Sequence, residues 1–494
     1  GRVIVWSDDY TNFLGSISAE GSLTGLGGFV ETSSKNNLQA FGNVTASGGL
    51  SDGTYLLDPA DVEITASTNT SMDGLNIFIP QATSAKISVG TITTALSSAS
   101  VYISTENQGS GTQDGTITIS SAINYTGSNN RTLQFVAAED IAVNANVKAT
   151  GSGKLTVKLN AQGDVTIGSG SAQNIEIVTK GGDFKVTGGQ DDGIAIGESF
   201  GVGAGSFTSH STSTINTTGG DDIAGGDVDI SSAVRNPGSG NTTGNIIIGG
   251  DITTSGGTVT SSGVGKAGGT VSIEARNAGT LSISTGADIT TTGSAANTSG
   301  QGGAGGAVTL NTAATTLTLN DTLISTSGGA GAGGSAAGSG GTITISDPLT
   351  IATGQVELNT GTSGAGNITT GTIDGSTSIS FTAGSGTIST GVLGGSTALT
   401  GLTYSADNIT LSSNITLAGD VSITGATTLG GNVTIDTNTG GTDYDVTLGT
   451  VDGNNTLTID SGAGNVSVGV VGGNTALSGL VINVADATAD NGDI

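Results

Sequence analysis

The amino-acid sequence predicts an all-β fold, a parallel β-helix (β-solenoid) whose coils, or rungs, take up about 20 residues each. Three observations support this prediction. The 494 residues combine 88 glycines, four prolines and 34% hydrophobic residues, which is too apolar for a disordered linker and lacks the period of collagen. A six-residue unit recurs along the chain, and a block near the carboxyl end is duplicated. Such repetition is typical of a solenoid.

The recurring unit consists of two glycines followed by two apolar residues at alternate positions. Its five copies begin at Gly225, Gly268, Gly305, Gly340 and Gly430. The apolar pair points to one face of a strand, and the glycines allow the positive φ angles of a sharp bend. We interpret each unit as the corner of a rung. The first four copies are 43, 37 and 35 residues apart, which predicts two rungs of roughly 20 residues between copies.

Charge and cysteine content exclude several classes of function. The net charge of −28 argues against a nucleic-acid partner, because phosphate binding needs a basic surface. Every Lys and Arg lies at or before Arg276, so residues 277–494 form no internal salt bridges. Cysteine is absent, which excludes disulfides and thiolate metal sites. No apolar run approaches the roughly 20 residues of a membrane span.

The first 60 residues contain a block of aromatic and acidic landmarks. Its parts are residues 1–8 (GRVIVWSD), 13–19 (FLGSISA), 27–33 (GGFVETS) and 56–59 (LLDP). This block resembles one found in filamentous-haemagglutinin-like exoproteins of the two-partner secretion class. The resemblance implies a right-handed coil, an outer-membrane transporter as export partner, and an extracellular or cell-surface location.

The amino-terminal secretion domain of that family, with its Asn-Pro-Asn-Gly type of signature, does not occur in this sequence. The chain also opens in what the pattern predicts to be the middle of a strand, and it shows no signal peptide. We therefore expect a segment that lies downstream of the secretion domain in a longer protein.

Four regions follow from the spacing of the strand cores. Residues 1–60 open the solenoid, and residues 61–186 continue it with short turns. No window there has a helical apolar stripe. The predicted cores of this second region are Val62/Ile64, Ile77/Ile79, Ile87/Val89, Val101/Ile103, Ile117/Ile119, Leu133/Phe135, Ile141/Val143, Leu155/Val157, Val165/Ile167, Ile175/Ile177 and Phe184/Val186.

The other two regions are richer in glycine. In residues 187–345 glycine clusters lengthen, yet strand cores continue through them, so we expect the clusters to be loops on one edge of a continuing ladder. In residues 346–494 the segment 371–375 returns at 449–453, and 391–402 returns at 469–480, both with an offset of 78. This duplication predicts a block of about four rungs.

One element suggests catalysis. The residues Gly189-Gln190-Asp191-Asp192-Gly193 resemble a motif of the β-helical polygalacturonases, in which neighbouring carboxylates supply the acid and base of glycoside cleavage. The other motifs of that family do not follow, because the single histidine is His210 and no basic triplet exists. We expect a turn here. A polysaccharide lyase or hydrolase acting on acidic glycans remains the alternative function.

The remaining candidates favour structural roles. Asp221, Asp222, Asp227 and Asp229 form an acidic cluster that suits a stabilising Ca²⁺, but the calcium-binding β-roll nonapeptide is absent and solvated turn acids are the default. Trp6 is expected to pack over an early rung. The Asn-x-Ser/Thr sequons, such as Asn367 and Asn414, are explained by the turn preference of asparagine. We predict no catalytic, cofactor-binding or metal-binding residue.

The sequence thus predicts a non-enzymatic rod that projects or polymerises as a fibre. Inward positions take Val, Ile and Leu, and outward positions take Thr, Ser and Asn. Neither end is predicted to be capped, so we expect the solenoid to continue, either through more of the same polypeptide or by end-to-end stacking. Self-association end to end or laterally is therefore an expected interaction. Cell-surface or matrix glycans are the other expected partners, and an adhesin is not distinguished from a matrix-fibre subunit.

Overall fold

The computed structural model describes residues 1–66, 85–105, 115–186, 205–232, 244–261, 263–276, 278–312, 316–439 and 442–484. It is nearly all-β, with 50% strand and 2% helix, and its strands stack in parallel as in a β-solenoid, which confirms the predicted fold class. The chain forms two compact units. Unit 1 comprises Gly1–Gly220, Gly226–Gly250 and Ala275–Gly279, and unit 2 comprises Asp221–Gly225, Asp251–Glu274 and Thr280–Ile494.

Unit 1 contains 23 described strands. They are β1 (Arg2–Ser7), β2 (Tyr10–Phe13), β3 (Ser16–Ser18), β4 (Phe29–Ser34), β5 (Asn37–Ala40), β6 (Asn43–Thr45), β7 (Gly53–Asp58), β8 (Val62–Thr65), β9 (Ala85–Ser88), β10 (Ala99–Ser104), β11 (Ile117–Ile119), β12 (Ile123–Tyr125), β13 (Arg131–Ala137), β14 (Ile141–Val143), β15 (Val147–Ala149), β16 (Leu155–Ala161), β17 (Val165–Ile167), β18 (Glu176–Val178), β19 (Phe184–Val186), β20 (Phe207–Ser209), β21 (Thr214–Asn216), β22 (Val228–Ser231) and β23 (Ile246–Ile248).

Parallel pairing between rungs gives unit 1 three faces. Face 1 contains β1, β4, β7, β10, β13, β16, β19 and β22, and face 2 contains β2, β5, β9, β8, β11, β14, β17, β20 and β23. Face 3 contains β12, β15, β18 and β21, and the separate pair β3–β6 follows face 2 in the first two rungs. Each rung therefore uses up to three short strands, as the close spacing of the strand cores predicts.

A single described helix, α1 (Val89–Leu96), interrupts unit 1, which corrects the expectation of a chain without helices. Ser88 caps its first turn by accepting a hydrogen bond from the Thr91 amide. Ile92, Ala95 and Leu96 are fully buried, and their i, i+3, i+4 spacing is that of a helix packed by one face. The predicted strand core at Val89 is thus wrong, because this short apolar stripe overrides the strand preference of β-branched residues.

Unit 2 continues the same architecture. Its strands are β24 (Ile252–Thr253), β25 (Val271–Ala275), β26 (Leu281–Ile283), β27 (Ile289–Thr290), β28 (Val308–Thr312), β29 (Leu317–Asn320), β30 (Leu323–Ser325), β31 (Ile343–Ile345), β32 (Leu349–Thr353), β33 (Val356–Asn359), β34 (Ile368–Thr370), β35 (Ile373–Gly375), β36 (Ser378–Thr390), β37 (Gly401–Leu411), β38 (Ile415–Thr416), β39 (Val421–Leu429), β40 (Val433–Asp436), β41 (Val446–Asp452), β42 (Thr456–Gly462), β43 (Val466–Val468) and β44 (Gly479–Val484).

The faces of unit 2 follow from its pairings. Face 1 contains β25, β28, β31 and β34, face 2 contains β26, β29, β32 and β35 and then β38, β40, β42 and β44, and face 3 contains β24, β27, β30, β33 and β43. The long strands β36, β37, β39 and β41 run through face 3 and into face 1. Alternate residues of each strand are buried, as in Ile343 and Ile345 of β31. The core is mostly aliphatic, with the ring pair of Phe381 and Tyr404 also buried in it.

The predicted rung length holds only in part. On face 1 of unit 2, Ile368 pairs with Ile388, 20 residues further on, but Val308 pairs directly with Ile343, 35 residues further on. The glycine units at Gly305 and Gly340 are therefore one rung apart, and the prediction of two rungs between them is wrong. In unit 1, Phe184 likewise pairs with Val228, 44 residues further on.

The paired glycines are required for a reason that differs from the predicted one. None of the ten glycines in the five units has a positive φ angle. Instead, a Cβ atom at Gly306 would lie 1.8 Å from the carbonyl oxygen of Gly269, and one at Gly341 would lie 2.1 Å from that of Gly306. The backbones of successive rungs approach too closely at this corner for any side chain. In these units the glycines therefore permit stacking rather than bending. The fifth unit differs, because a Cβ atom at Gly431 would lie 3.1 Å from the nearest backbone atom, the Ser412 carbonyl oxygen.

The extra residues of the long rungs form loops between face 3 and face 1, as predicted for the glycine clusters. Each loop is closed by a buried threonine: Thr291 Oγ1 donates to the Gly306 carbonyl (2.6 Å), and the Gly306 amide donates to the Thr291 carbonyl (2.7 Å). The same arrangement, which we call the threonine clasp, joins Thr254 to Gly269 and Thr326 to Gly341. The three clasps span the same separation of 15 residues.

Substitution of Thr291 by valine is expected to lower the free energy of unfolding by about 1–3 kcal/mol, because the Gly306 carbonyl would lose its buried hydroxyl donor. Thr291→Ser retains the hydroxyl and should cost less. Denaturant unfolding followed by circular dichroism measures the difference, with the exposed Thr428→Val as the control. Equal stability of Thr291→Val and Thr428→Val would contradict a stabilising role of the clasp.

The duplicated block is one face short of four full rungs. Ile373 pairs within face 2, whereas its repeat Val451 pairs within face 1. Local geometry is nevertheless preserved, because Ile373 bridges Leu393 just as Val451 bridges Val471. The prediction of a register-locked duplication of about four rungs is therefore close, but equivalent residues lie on different faces. The same strand-and-corner sequence can therefore form part of different faces of the coil.

Candidate functional surfaces

The structure describes only some of the predicted candidates for chemistry, and those it describes have separate hydrogen-bond partners. The Gln190-Asp191-Asp192 element lies outside the described residues. Asp222, which has a positive φ angle, accepts hydrogen bonds from the Thr260 amide (3.3 Å) and the Ser261 hydroxyl (3.3 Å). The hydrogen bond from the Thr260 hydroxyl lowers the pKa of Asp222 below its ordinary range. These contacts join one turn of unit 2 to the next loop.

The other acids of that cluster have separate partners. The Asp227 amide donates to Asp183 Oδ1 (3.1 Å), and Asp229 lies beside Lys185 on the neighbouring strand. Among the described residues, no group of three or more His, Cys, Asp or Glu side chains is placed to hold a metal ion. A stabilising calcium ion stays the untested alternative to solvated turn acids, and the effect of a chelator on the melting temperature would test it.

The two singleton residues occupy the surface of unit 1. His210 Nδ1 lies 3.0 Å from the Thr212 hydroxyl in the turn that follows β20. Trp6 keeps 48% of its surface exposed, and the Lys35 ammonium lies 5.5 Å from the centre of its ring. Trp6 is opposite Ser33 of β4, so its half-exposed ring lies beside Lys35 of the next rung.

A shallow groove of about 300 Å³ crosses the outer side of face 1 in unit 1. Its lining includes Ser100, Thr132, Lys154, Thr156 and Asp183. These are the hydroxyl and charged groups that a hydrophilic ligand would contact, but Asp183 is already paired with Lys185 at 3.8 Å. The groove contains no aromatic residue among its lining residues, so it lacks a platform for a sugar ring.

Arg131, which also borders this groove, has a structural role. Its guanidinium donates to the carbonyls of Leu96 (2.9 Å) and Ser97 (3.3 Å), at the carboxyl end of α1. It also forms an ion pair with Asp52 at 2.6 Å, with the side chain of Arg131 only 5% exposed. The cation thereby satisfies the helix carbonyls that lack partners within α1.

Side-chain oxygens link successive rungs at the starts of strands. Asp140 Oδ1 accepts from the Asp164 amide (2.7 Å), and Asp164 Oδ1 accepts from the Ser206 amide (2.7 Å). In unit 2 the sequon residues Asn367 and Asn414 do the same for the amides of the next rung, at 2.9 Å each. Neither asparagine has a positive φ angle, so their predicted explanation by turn preference is wrong. In the sequence, an Asp or Asn directly before a strand core was the signal that could have indicated these links between rungs.

One such carboxylate in unit 2 lies among other acids. Asp288 accepts from the Leu323 amide (2.8 Å), while its own amide donates to Asp251 Oδ1 (3.0 Å). Burial raises the pKa of Asp288 above its ordinary value of 3.8, and the negative charges of Asp251, Asp321 and Glu357 raise it further. The ionised carboxylate is therefore less favourable in the folded state than in the unfolded chain.

The sign of this effect predicts a response to pH. Because the folded pKa is raised, Asp288 destabilises unit 2 at pH values above that pKa, and the penalty disappears as the pH falls towards 3.8. Asp288→Asn keeps an oxygen acceptor without the charge. We expect it to raise the melting temperature at pH 7 by on the order of 1 °C and to leave it unchanged near pH 4.

Thermal unfolding at several pH values measures this difference. The control is Asp407→Asn, at an exposed position of β37, which removes one charge from the same unit. A gain that is equal in both variants, or that persists near pH 4, would contradict the prediction.

The outer side of face 1 in unit 2 carries a continuous column of hydroxyl groups. Thr309 is the Cα partner of Thr344, which is the partner of Thr369. The column continues through Ser389, Thr410 and Thr428. We call this column, defined by Thr309, Thr344, Thr369, Ser389, Thr410 and Thr428, the hydroxyl column. The sequence predicted hydroxyl-rich outward positions. That these positions align in one column could be seen only once the rung lengths were known.

No described helix has both the length and the apolar character needed to cross a membrane. Comparison of the sequence with models of protein families finds no match, and no curated protein matches the chain.

Proposed function

We propose that this chain is an extracellular structural or adhesive segment of a large secreted surface protein, which projects or polymerises as a fibre in adhesion or in a biofilm matrix. The observation that carries the proposal is the construction of both units from stacked parallel strands with apolar interiors and hydroxyl, amide and carboxylate exteriors. Such stacking produces length and repeated surface, which suit a scaffold. The resemblance of residues 1–60 to filamentous-haemagglutinin-like exoproteins supports the export route and the transporter partner.

Self-association is part of the proposal. Among the described strands, β1 pairs with β4 alone, and Ile4, Val5 and Trp6 are 48%, 38% and 48% exposed. An edge strand with unpaired backbone groups and exposed apolar side chains is a template for another strand. End-to-end addition of a second copy would cover both the unpaired backbone groups and the exposed apolar side chains of β1.

Sedimentation velocity over a range of protein concentrations tests this association. We expect the chain to form oligomers, and Val5→Lys to reduce them because a charge would be placed in the contact. Leu50→Lys, at a loop position that is 70% exposed, is the control. A chain that stays monomeric at all concentrations, or oligomers that are equally stable in Val5→Lys, would refute association through β1.

The proposed extracellular location of the protein can be tested on intact cells. Electron microscopy of the native cell surface with an antibody to this segment is expected to label extended surface or matrix fibres. Labelling confined to the cell interior would refute the proposal.

A polysaccharide lyase or hydrolase is the second candidate, and the groove beside Lys154 and Asp183 is the one observation that favours it. Release of uronides or of reducing ends from acidic glycans would establish this activity. The double variant Lys154→Ala, Asp183→Asn should then abolish the release.

A further inference from the structure

The hydroxyl column has a parallel second column, two residues earlier on each strand. It comprises Ala307, Thr342, Asn367, Thr387, Asn408 and Ala426, four of which are polar. Thr387, Asn408 and Ala426 are direct Cα partners in succession. Rungs are about 4.8 Å apart, and residues i and i+2 of a strand are about 6.6 Å apart. The hydroxyl column and the four polar residues of the second column therefore form a two-dimensional array of polar groups at fixed spacings, with Ala307 and Ala426 at the two ends of the second column.

The hydroxyls of the first column are available to solvent. Thr309, Thr369 and Thr428 are exposed, and Thr344 and Thr410 are half-buried. In the part of the chain that the structure describes, these five side chains form no hydrogen bond within the protein. Each hydroxyl can both donate and accept a hydrogen bond, so each can bind water in either orientation.

The array is also neutral in a strongly acidic protein. The net charge is −28, yet the outward positions of face 1 from Thr309 to Thr428 carry no charged residue. The nearest carboxylates are Asp452, the next Cα partner after Thr428, and the exposed Asp407, which directly precedes Asn408 in β37. Ionic groups would organise water around themselves and break a regular pattern. The array carries no aromatic ring either, so it offers no stacking surface for a sugar.

Rigidity makes the array able to recognise a lattice. The β-branched threonines have restricted χ1 angles, and their backbone is fixed by hydrogen bonds to the rungs above and below. Water held between a hydroxyl and a second polar group binds nearly as well as a direct partner. Many weak contacts made at once bind strongly only if the opposing surface has the same fixed spacing. Liquid water has no such spacing, whereas crystalline water does.

We propose that face 1 of unit 2, from Thr309 to Thr428, adsorbs to ice through an ordered layer of water held by its hydroxyl array. The ligand is the surface of solid water, and no cofactor or covalent step is involved. Adsorbed protein would slow the growth of the crystal at the contact. This activity is independent of the proposed adhesive function.

The test measures ice recrystallisation and thermal hysteresis with the purified full chain. Wild-type protein is expected to inhibit recrystallisation and to separate the freezing and melting points. The double variant Thr369→Tyr, Thr428→Tyr places two bulky side chains in the array and should lose activity by about tenfold or more. Both positions are exposed, so circular dichroism and the melting temperature should not change.

The control is the double variant Thr403→Tyr, Thr447→Tyr, at exposed outward positions of face 3 in the same unit. It should retain full activity. Folded wild-type protein without effect on ice growth, or equal loss in both double variants, would overturn the proposal. Retention of the chain on insoluble cellulose without any effect on ice would assign the array to a neutral polysaccharide instead, and would overturn it as well.

Discussion

Replacement of Arg131 by alanine is expected to destabilise unit 1 by about 3–5 kcal/mol. The guanidinium is almost fully buried, pairs with Asp52 at 2.6 Å and donates to the Leu96 and Ser97 carbonyls at the end of α1. Its removal would leave a carboxylate and two carbonyl groups without their partner. Arg131→Lys retains the charge but not the forked geometry, so we expect an intermediate loss.

Hydrogen exchange of peptides that cover residues 85–105 is the most local measurement of this effect. The alanine variant should lose protection in α1 before it loses protection in β16 or β19. Lys154→Ala, on the same face, is the control and should exchange like the wild type. Unchanged protection of α1 in Arg131→Ala would show that the contacts to Leu96 and Ser97 do not hold the helix.

The second large effect is expected at the glycine corner of unit 2. A Cβ atom at Gly306 would lie 1.8 Å from the Gly269 carbonyl oxygen, and neither backbone can move without breaking the ladder. We expect Gly306→Ala to cost at least about 3 kcal/mol, at the upper end of the range for overpacking. Denaturant unfolding of the full chain measures the loss in the transition of unit 2.

Gly263→Ala is the matched control, because no atom lies within 4 Å of a Cβ at that position. It should change stability by no more than about 0.5 kcal/mol. If Gly306→Ala were as stable as Gly263→Ala, the close approach of successive rungs at this corner would be wrong.

The sequence was sufficient to predict the fold class because its signals are local and repeated. The apolar pairs at i and i+2 identify strands such as β22 and β31, and their inward side chains are buried as expected. The role of the paired glycines could not be predicted from the sequence. Steric exclusion by a neighbouring rung, as at Gly306, is a contact between distant residues, and a six-residue motif contains no information about its partner.

The prediction of the rung length was wrong for the same reason, because it too depends on contacts between residues that are distant in the sequence. Counting residues cannot separate a second rung from a loop, and residues 292–305 form a loop closed by Thr291 and Gly306. The alignment of Thr309 with Thr344, 35 residues apart, could not be predicted without knowing where such loops begin and end. The hydroxyl array therefore emerges only from the structure, although each of its threonines was predicted to face outward.

Helix α1 and the contacts of Arg131 could not be predicted from the sequence for a different reason. Ser88 and the spacing of Ile92, Ala95 and Leu96 signal a helix start and a buried face, but eight residues are too few to outweigh the strand pattern on either side. The partner of Arg131 at the end of that helix lies 35 residues away. Long-range polar contacts of this kind leave no periodic trace in the sequence.

Each glycine-glycine unit between Gly268 and Gly340 marks one complete rung. The chain contains no cysteine, so introduced cysteine pairs report directly on which residues are neighbours. Thr309→Cys with Thr344→Cys places two thiols on adjacent strands about 4.8 Å apart, within the range that a disulfide bridges. We predict rapid and complete crosslinking of this pair on mild oxidation, and none of Thr309→Cys with Ser325→Cys. Crosslinking of the second pair in place of the first would contradict the register, and with it the hydroxyl array.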